Sequence, residues 1–158
     1  MPIAADILTT AIAKKATIAT AESCTGGMVA AALTDLPGSS VMMERGFVTY
    51  TNLAKVEMLG VGQATLDAVG AVSEEVAREM VEGALRNSAA SVAVSITGIA
   101  GPGGSEHKPE GRVCFGVSSG GRTKVETREF GAIGRDAVRK AARDHALALI
   151  LAEIQKLP

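Results

Sequence analysis

Aromatic residues are scarce in this chain of 158 residues: tryptophan is absent, tyrosine occurs once and phenylalanine three times, 3% in all. Without large rings the core has to be close-packed from aliphatic side chains. With 47% hydrophobic residues, many of them alanine, that favours helices lying tightly on a sheet. Cysteine is nearly absent too, and Cys24 and Cys114 stand far apart in the chain. They form neither a disulfide framework nor a zinc-binding spacing, which suits a reducing cytoplasm. Neither sign of charge dominates. Sixteen basic against seventeen acidic residues leave a net charge of -1, which speaks against nucleic acid as a partner and leaves room for a small anionic substrate. No apolar stretch approaches the roughly 20 residues of a membrane span, and the segment from Met1 to Ala16 lacks the pattern of a signal peptide. The expectation is a soluble cytoplasmic protein with no membrane partner, folded as one domain over residues 1–158, long enough to bury about two thirds of its unfolded surface.

Residues 4 to 15 carry Ile7, Leu8, Ala11 and Ile12 at helical spacing. A strand over 16 to 20 leads through Ser23 into a helix over 24 to 34, which Pro37 and Gly38 close off. Phe47 to Tyr50 reads as a strand, and Asn52 can cap a short helix carrying Lys55. Ser73, followed by Glu74 and Glu75, starts a helix over 74 to 87, with Val76, Met80, Val81 and Leu85 on one face. A strand over 91 to 97 runs into a long loop from Gly98 to Pro109, too rich in glycine and proline to be regular. Val113, Phe115 and Val117, the Gly120-Gly121 turn and the alternation from Thr123 to Glu129 predict a hairpin, and residues 134 to 156 a last helix. The order implies an α/β fold, a mixed β-sheet covered by helices in three layers.

The chemistry concentrates in two segments, Ala21 to Gly27 and Arg45 to Lys55, which together hold Ser23, Tyr50 and Lys55. A serine hydroxyl needs a base. His107 lies in a polar loop and His145 inside a long helix, so neither makes a serine-histidine-aspartate arrangement. Lysine can serve if burial lowers its pKa from about 10.4 toward about 7 to 8. The apolar neighbours of Lys55 allow that, although a solvated lysine fits the same spacing. Tyr50 can relay a proton or orient the lysine, or simply end its strand. Ser23 can be a nucleophile or an N-cap bonded to Gly26. Thr25, Gly26 and Gly27 can supply oxyanion N–H groups or merely pack the helix against the sheet. Glu22 can orient a donor, meet substrate or cap the helix. The Gly98 to Gly104 loop can offer N–H groups to a phosphate, with Arg45, Lys108, Arg135 and Arg139 as possible partners, each equally a solvated charge. No P-loop ending and no dinucleotide fingerprint is present.

Four segments, Thr20 to Gly27 (TAESCTGG), Glu44 to Tyr50 (ERGFVTY), Gly70 to Ser73 (GAVS) and Ser95 to Pro102 (SITGIAGP), closely resemble the CinA C-terminal domain family. The likeness covers nearly the whole chain. It implies deamidation of nicotinamide mononucleotide to nicotinate mononucleotide and ammonia, with a small-molecule nucleotide as partner. It puts the family's serine, tyrosine and lysine on Ser23, Tyr50 and Lys55. The strand-loop motif falls on Thr97 to Pro102, with Thr97, Gly98 and Gly101 joining Thr25, Gly26, Gly27, Arg45 and Arg139 as expected substrate contacts. The implied scheme uses no metal and no other cofactor. The resemblance also implies a stand-alone form, without the family's additional N-terminal domain. A homo-oligomer paired through the last helix is one expectation. Two rivals stay open: an enzyme using Cys24 as the nucleophile, its thiolate favoured at a helix entrance, and a nucleotide- or partner-binding module without turnover.

Overall fold

The computed structural model describes residues 2–158. In chain order the elements are α1 (Pro2–Lys14), β1 (Ile18–Glu22), α2 (Met28–Leu33), a 3-10 turn (Ser39–Val41), β2 (Met43–Val48), α3 (Asn52–Leu59), α4 (Gln63–Val69), α5 (Glu74–Arg86), β3 (Val92–Gly98), β4 (Arg112–Ser119), β5 (Arg122–Glu129) and α6 (Arg135–Gln155). The five strands form one sheet in the order β2-β1-β3-β4-β5. β1 runs parallel to both of its neighbours, whereas β3, β4 and β5 form an antiparallel meander. The expected mixed sheet between helical layers is what the chain adopts.

The two faces of the sheet differ in side-chain size, and that difference sets how closely the helices approach. Ile18, Val92, Val94, Ile96, Val113 and Phe115 face α1, α2 and α6 and make the larger core. The opposite face presents Ala19, Ala21 and Ala93 to α3, α4 and α5, so α5 lies directly on the backbone. Ser95 Oγ donates to the carbonyl of Ala77 on α5 at 2.7 Å, and a methyl group at Gly116 would lie 2.8 Å from that same carbonyl oxygen. Close packing extends to the helix pair α3 and α5. A methyl group at Gly83 would sit 1.9 Å from the carbonyl oxygen of Leu59, the last residue of α3. The shortage of aromatic residues is therefore matched by backbone approaches that larger side chains forbid.

Several boundaries differ from the sequence reading, each for a local reason. The helix expected over 24 to 34 begins only at Met28, because Gly26 and Gly27 take φ of 57° and 108°, a left-handed conformation that stops a helix and that glycine tolerates. β1 extends to Glu22 rather than ending at residue 20. β2 spans Met43–Val48, not Phe47 to Tyr50; beyond Val48 the carbonyls of Thr49 and Tyr50 turn toward Lys55. The cap of α3 is Thr51, whose hydroxyl accepts the N–H of Ala54 at 3.1 Å, and Asn52 is its first helical residue. Ser73 caps α5 as expected, accepting from the N–H of Val76 at 3.2 Å, an interaction worth about 1 kcal/mol. Helix α4 was not expected at all.

β1 lies between its two parallel partners, reached through α2 on one face of the sheet and through α3 to α5 on the other. In such sheets the connections diverge at the carboxyl ends of the strands and leave a crevice there. Ser23 is the first residue beyond β1.

Candidate active site

Glu22 determines how the chain leaves β1. Its carboxylate is fully buried and accepts four hydrogen bonds: from the Thr25 hydroxyl at 2.6 Å, and from the N–H groups of Gly27 at 3.2 Å, Val29 at 3.0 Å and Ala30 at 3.0 Å. The last three belong to the entrance of α2, where N–H groups have no partner within the helix and negative charge is favoured. Of the roles open to Glu22, helix capping is the one adopted. Ser23 is consequently not an N-cap. Gly26 donates its N–H to the Ser23 backbone carbonyl at 3.0 Å, and the hydroxyl, free of the helix, donates only a long 3.5 Å hydrogen bond to the Tyr50 carbonyl.

That hydroxyl meets Lys55. Lys55 Nζ lies 3.0 Å from Ser23 Oγ, and it donates to the carbonyls of Thr49 at 3.0 Å and Tyr50 at 3.2 Å. Lys55 is 1% exposed and Ser23 7% exposed. Burial lowers the lysine pKa from 10.5 to about 8, and the negative charge of Glu106 works in the opposite direction. The solvated-lysine alternative is thereby excluded. A neutral amine has two N–H groups and one lone pair. The two carbonyls occupy the donors, which turns the lone pair toward Ser23 Oγ.

Tyr50 enters this arrangement by an unexpected route. Its backbone carbonyl accepts from Lys55, while its ring is 56% exposed and its hydroxyl accepts from Arg135 at 2.7 Å. Arg135 also donates to the Gly101 carbonyl at 2.7 Å. It thus spans the mouth of a cavity of about 420 Å³ whose walls include Ser23, Cys24, Tyr50, Lys55, Thr97, the segment from Gly98 to Ser105, Glu106 and Arg135. This is the size range of small-molecule sites.

Thr97, Gly98 and Gly101 line that cavity as expected. The Thr97 hydroxyl is engaged with the Ala71 carbonyl at 2.9 Å. A methyl group at Gly98 would come within 2.7 Å of Val113 and 3.1 Å of Cys24 Sγ, so the strand end passes directly beside the serine turn. Gly101 has φ of 89°, where a side chain would be strained and would strike Glu110.

Other expected contacts lie elsewhere. Arg45 donates to the Asn87 carbonyl at 2.7 Å and pairs with Glu44 at 3.2 Å, away from the cavity walls. Lys108 is engaged with the carbonyls of Val69 and Val72, both at 2.6 Å. Arg139 donates from Nε to the Cys24 carbonyl at 3.0 Å and from Nη2 to the Thr25 carbonyl at 3.4 Å, behind the serine turn rather than in the cavity. The N–H groups of Gly26 and Gly27 are spent on Ser23 and Glu22. Those of Cys24 and Thr25 donate to no other described residue, but Thr25 is fully buried and, unlike Cys24, neither it nor Gly26 nor Gly27 lines the cavity. Burial pushes the Cys24 thiol up to about 12, the reverse of the lowered value a cysteine nucleophile needs. His145 pairs with Glu126 and packs edge-on against Phe115, outside the cavity. Sequence reasoning missed Glu106, the one carboxylate in the cavity wall, which accepts the N–H of Ala71 at 3.2 Å. Its only signal was membership of the long loop.

Fold and cavity together define an α/β domain with a ligand-sized crevice at the carboxyl ends of its parallel strands, holding a buried lysine against a serine. The chain belongs to the CinA C-terminal domain family, whose profile matches residues 1–154. It is 54% identical over 136 residues to nicotinamide-nucleotide amidohydrolase PncC of Escherichia coli K12, covering 85% of this chain and 82% of that protein. It is 57% identical over 117 residues to a CinA-like protein of Chlorobium phaeobacteroides, covering 70% of this chain but spanning only 28% of that longer relative. Among solved structures, the competence/damage inducible protein CihA of Agrobacterium tumefaciens superimposes with a TM-score of 0.94 at 45% identity, over 98% of this chain and 94% of that one. Competence damage-inducible protein A of Klebsiella pneumoniae gives 0.95 at 34% identity, over 99% and 98%. Among the described residues no helix is long and apolar enough to cross a membrane.

Proposed function

We propose that this protein is a nicotinamide-nucleotide amidohydrolase, converting nicotinamide mononucleotide to nicotinate mononucleotide and ammonia with Ser23 as nucleophile and Lys55 as base. The observation that carries the mechanism is the buried Lys55 Nζ, 3.0 Å from Ser23 Oγ, with its pKa lowered to about 8. The substrate assignment is supported by the 54% identity to a protein of that name.

Neutral Lys55 takes the Ser23 hydroxyl proton as Oγ bonds to the carboxamide carbon. The carbonyl oxygen becomes an oxyanion, stabilised by N–H groups of the serine turn. Lys55 then returns the proton to the departing nitrogen, the C–N bond breaks, and ammonia leaves an acyl-Ser23 ester. Water adds to the ester carbon while Lys55 accepts its proton. Collapse expels Ser23 Oγ, which recovers that proton, and nicotinate mononucleotide is released. The Tyr50 hydroxyl, engaged with Arg135, has no proton to carry in this cycle. The substrate phosphate is assigned to Arg135, the arginine on the cavity wall, together with the Gly98 to Gly104 loop. A small nucleotide of the cytoplasmic pool is the partner this site fits.

The test is ammonia release from nicotinamide mononucleotide by wild type, Ser23→Ala and Lys55→Ala, with a chelator present throughout. Turnover by wild type and a loss of about 10⁴-fold or more in each variant is the expected result. Release that survives in Ser23→Ala would remove the mechanism. No release by folded wild type would remove the substrate.

A further inference from the structure

We propose that Glu106 is a specificity-determining residue: its carboxylate pairs with the cationic pyridinium ring of the substrate and selects it over an amide carried on a neutral ring. The inference rests on nicotinamide mononucleotide being the substrate. That molecule carries charge of both signs. Its phosphate is anionic, and its ring nitrogen is made cationic by the bond to the ribose. A site that fits it needs an anion as well as a cation, and the anion has to stand near the reacting carboxamide, which the same ring carries.

The cavity holds such a pair. Among the described residues that line it, Glu106 is the one carboxylate, and apart from Lys55, which acts as a neutral amine, Arg135 is the one cation. Arg135 stands at the mouth, tied to the Tyr50 hydroxyl and the Gly101 carbonyl. Glu106 accepts one hydrogen bond, from the N–H of Ala71 to Oε2 at 3.2 Å, and among the described residues no lysine, arginine or histidine forms an ion pair with it. Its charge is therefore open to a cation brought by a ligand.

The carboxylate is also held in place. A methyl group at Gly70 would lie 2.9 Å from Glu106 Oε2, and Gly70 has φ of 78°, so glycine alone lets the carboxylate settle on the backbone between α4 and α5. Glu106 and His107 take φ of 54° and 63° in succession, a left-handed conformation that residues with side chains rarely adopt. The long loop thus turns sharply at the residue that carries the charge. That charge is felt at Lys55, whose Nζ lies 3.0 Å from Ser23 Oγ. A ring bonded to the carboxamide carbon that Ser23 attacks lies within the same field. Ala71, Val72, Ile99 and Ala100 supply apolar wall for that ring.

Wild type and Glu106→Gln are compared by steady-state kinetics at pH 9, where Lys55 is largely neutral. KM is measured for nicotinamide mononucleotide, and Ki for the benzamide C-nucleotide, the same molecule with carbon in place of the ring nitrogen and so no charge on the ring. Glutamine can still accept the N–H of Ala71 through its amide oxygen, so the substitution removes the charge and keeps the contact. Thermal unfolding checks the fold. The expected result is a KM raised about fivefold, the worth of a charge pair at an exposed carboxylate, with kcat within about twofold and the Ki of the neutral analogue unchanged, the pattern of lost uniform binding. Glu106→Lys should raise KM further and again leave Ki in place. A KM that stays at the wild-type value in both variants would overturn the proposal. So would KM and Ki rising together, which would assign Glu106 to holding the loop rather than to reading charge. Failure of the parent reading is distinct, since wild type itself would then release no ammonia from nicotinamide mononucleotide.

Discussion

Tyr50 serves Lys55 with its backbone carbonyl, 3.2 Å from Nζ, while its phenol hydroxyl accepts from Arg135 at 2.7 Å. The two halves of one residue thus join the base to the mouth of the cavity. Removing the hydroxyl leaves the carbonyl where it is. Tyr50→Phe is therefore expected to keep kcat and to raise KM about fivefold, the worth of one hydrogen bond orienting Arg135. Steady-state kinetics on nicotinamide mononucleotide separate this from a proton relay, for which kcat would collapse.

The rate should follow the neutral fraction of Lys55. With the pKa lowered to about 8, only about a tenth of the amine is neutral at pH 7, and kcat/KM rises with pH until it levels off above about 9. Glu106 bears on the same group from the cavity wall, its negative charge holding the lysine pKa up. Glu106→Gln removes that charge, so the rising limb should move to lower pH. A pH profile that stays put or moves upward would refute the electrostatic link.

Stability should carry a second signature of the same burial. The folded pKa of Lys55, about 8, lies below its unfolded value of 10.5. Between those two values the unfolded chain binds more protons than the folded one, so stability rises with pH through that window, by up to about 1.4 kcal/mol per unit. Below about pH 8 the contribution is a constant cost. Lys55→Met, neutral at every pH, should abolish this slope along with activity. Urea unfolding at pH 7.5, 8.5 and 9.5 measures it for both proteins.

Cys24 adjoins the nucleophile but is chemically silent. Its thiol is buried and pushed up to about 12, so thiolate is negligible at neutral pH. Cys24→Ala should leave kcat within about threefold of wild type, and iodoacetamide at pH 7.5 should leave activity intact. Prompt inactivation together with a dead Cys24→Ala protein would restore the cysteine as nucleophile.

What could be read in the sequence divides along the range of the interactions. Ser23, Lys55 and the loop after β3 were legible because each is signalled by a contiguous motif whose local geometry is nearly its own. Ser73 capping α5 was equally local. Glu22 was ambiguous because it caps α2 from outside the helix, reaching N–H groups as far as eight positions onward, a spacing no capping box prescribes. The arginines were indistinguishable, since the partners of Arg135 and Arg139 come from the other end of the chain. Helix α4 escaped because seven residues with a single buried leucine carry little periodicity. The end of β2 was misjudged because Thr49 and Tyr50 look like strand residues, and only the buried amine of Lys55 draws their carbonyls away.

The contact between Gly83 and Leu59 reaches further than packing. α3 is barely two turns long, and its C-terminal carbonyl rests where any side chain at position 83 would be. Since Lys55 rides on that same short rod, the missing methyl group on α5 works as a spacer for chemistry at the other end: it decides how deeply the amine is driven toward the serine. An alanine there would act as a wedge, lifting the base off its nucleophile without touching either one.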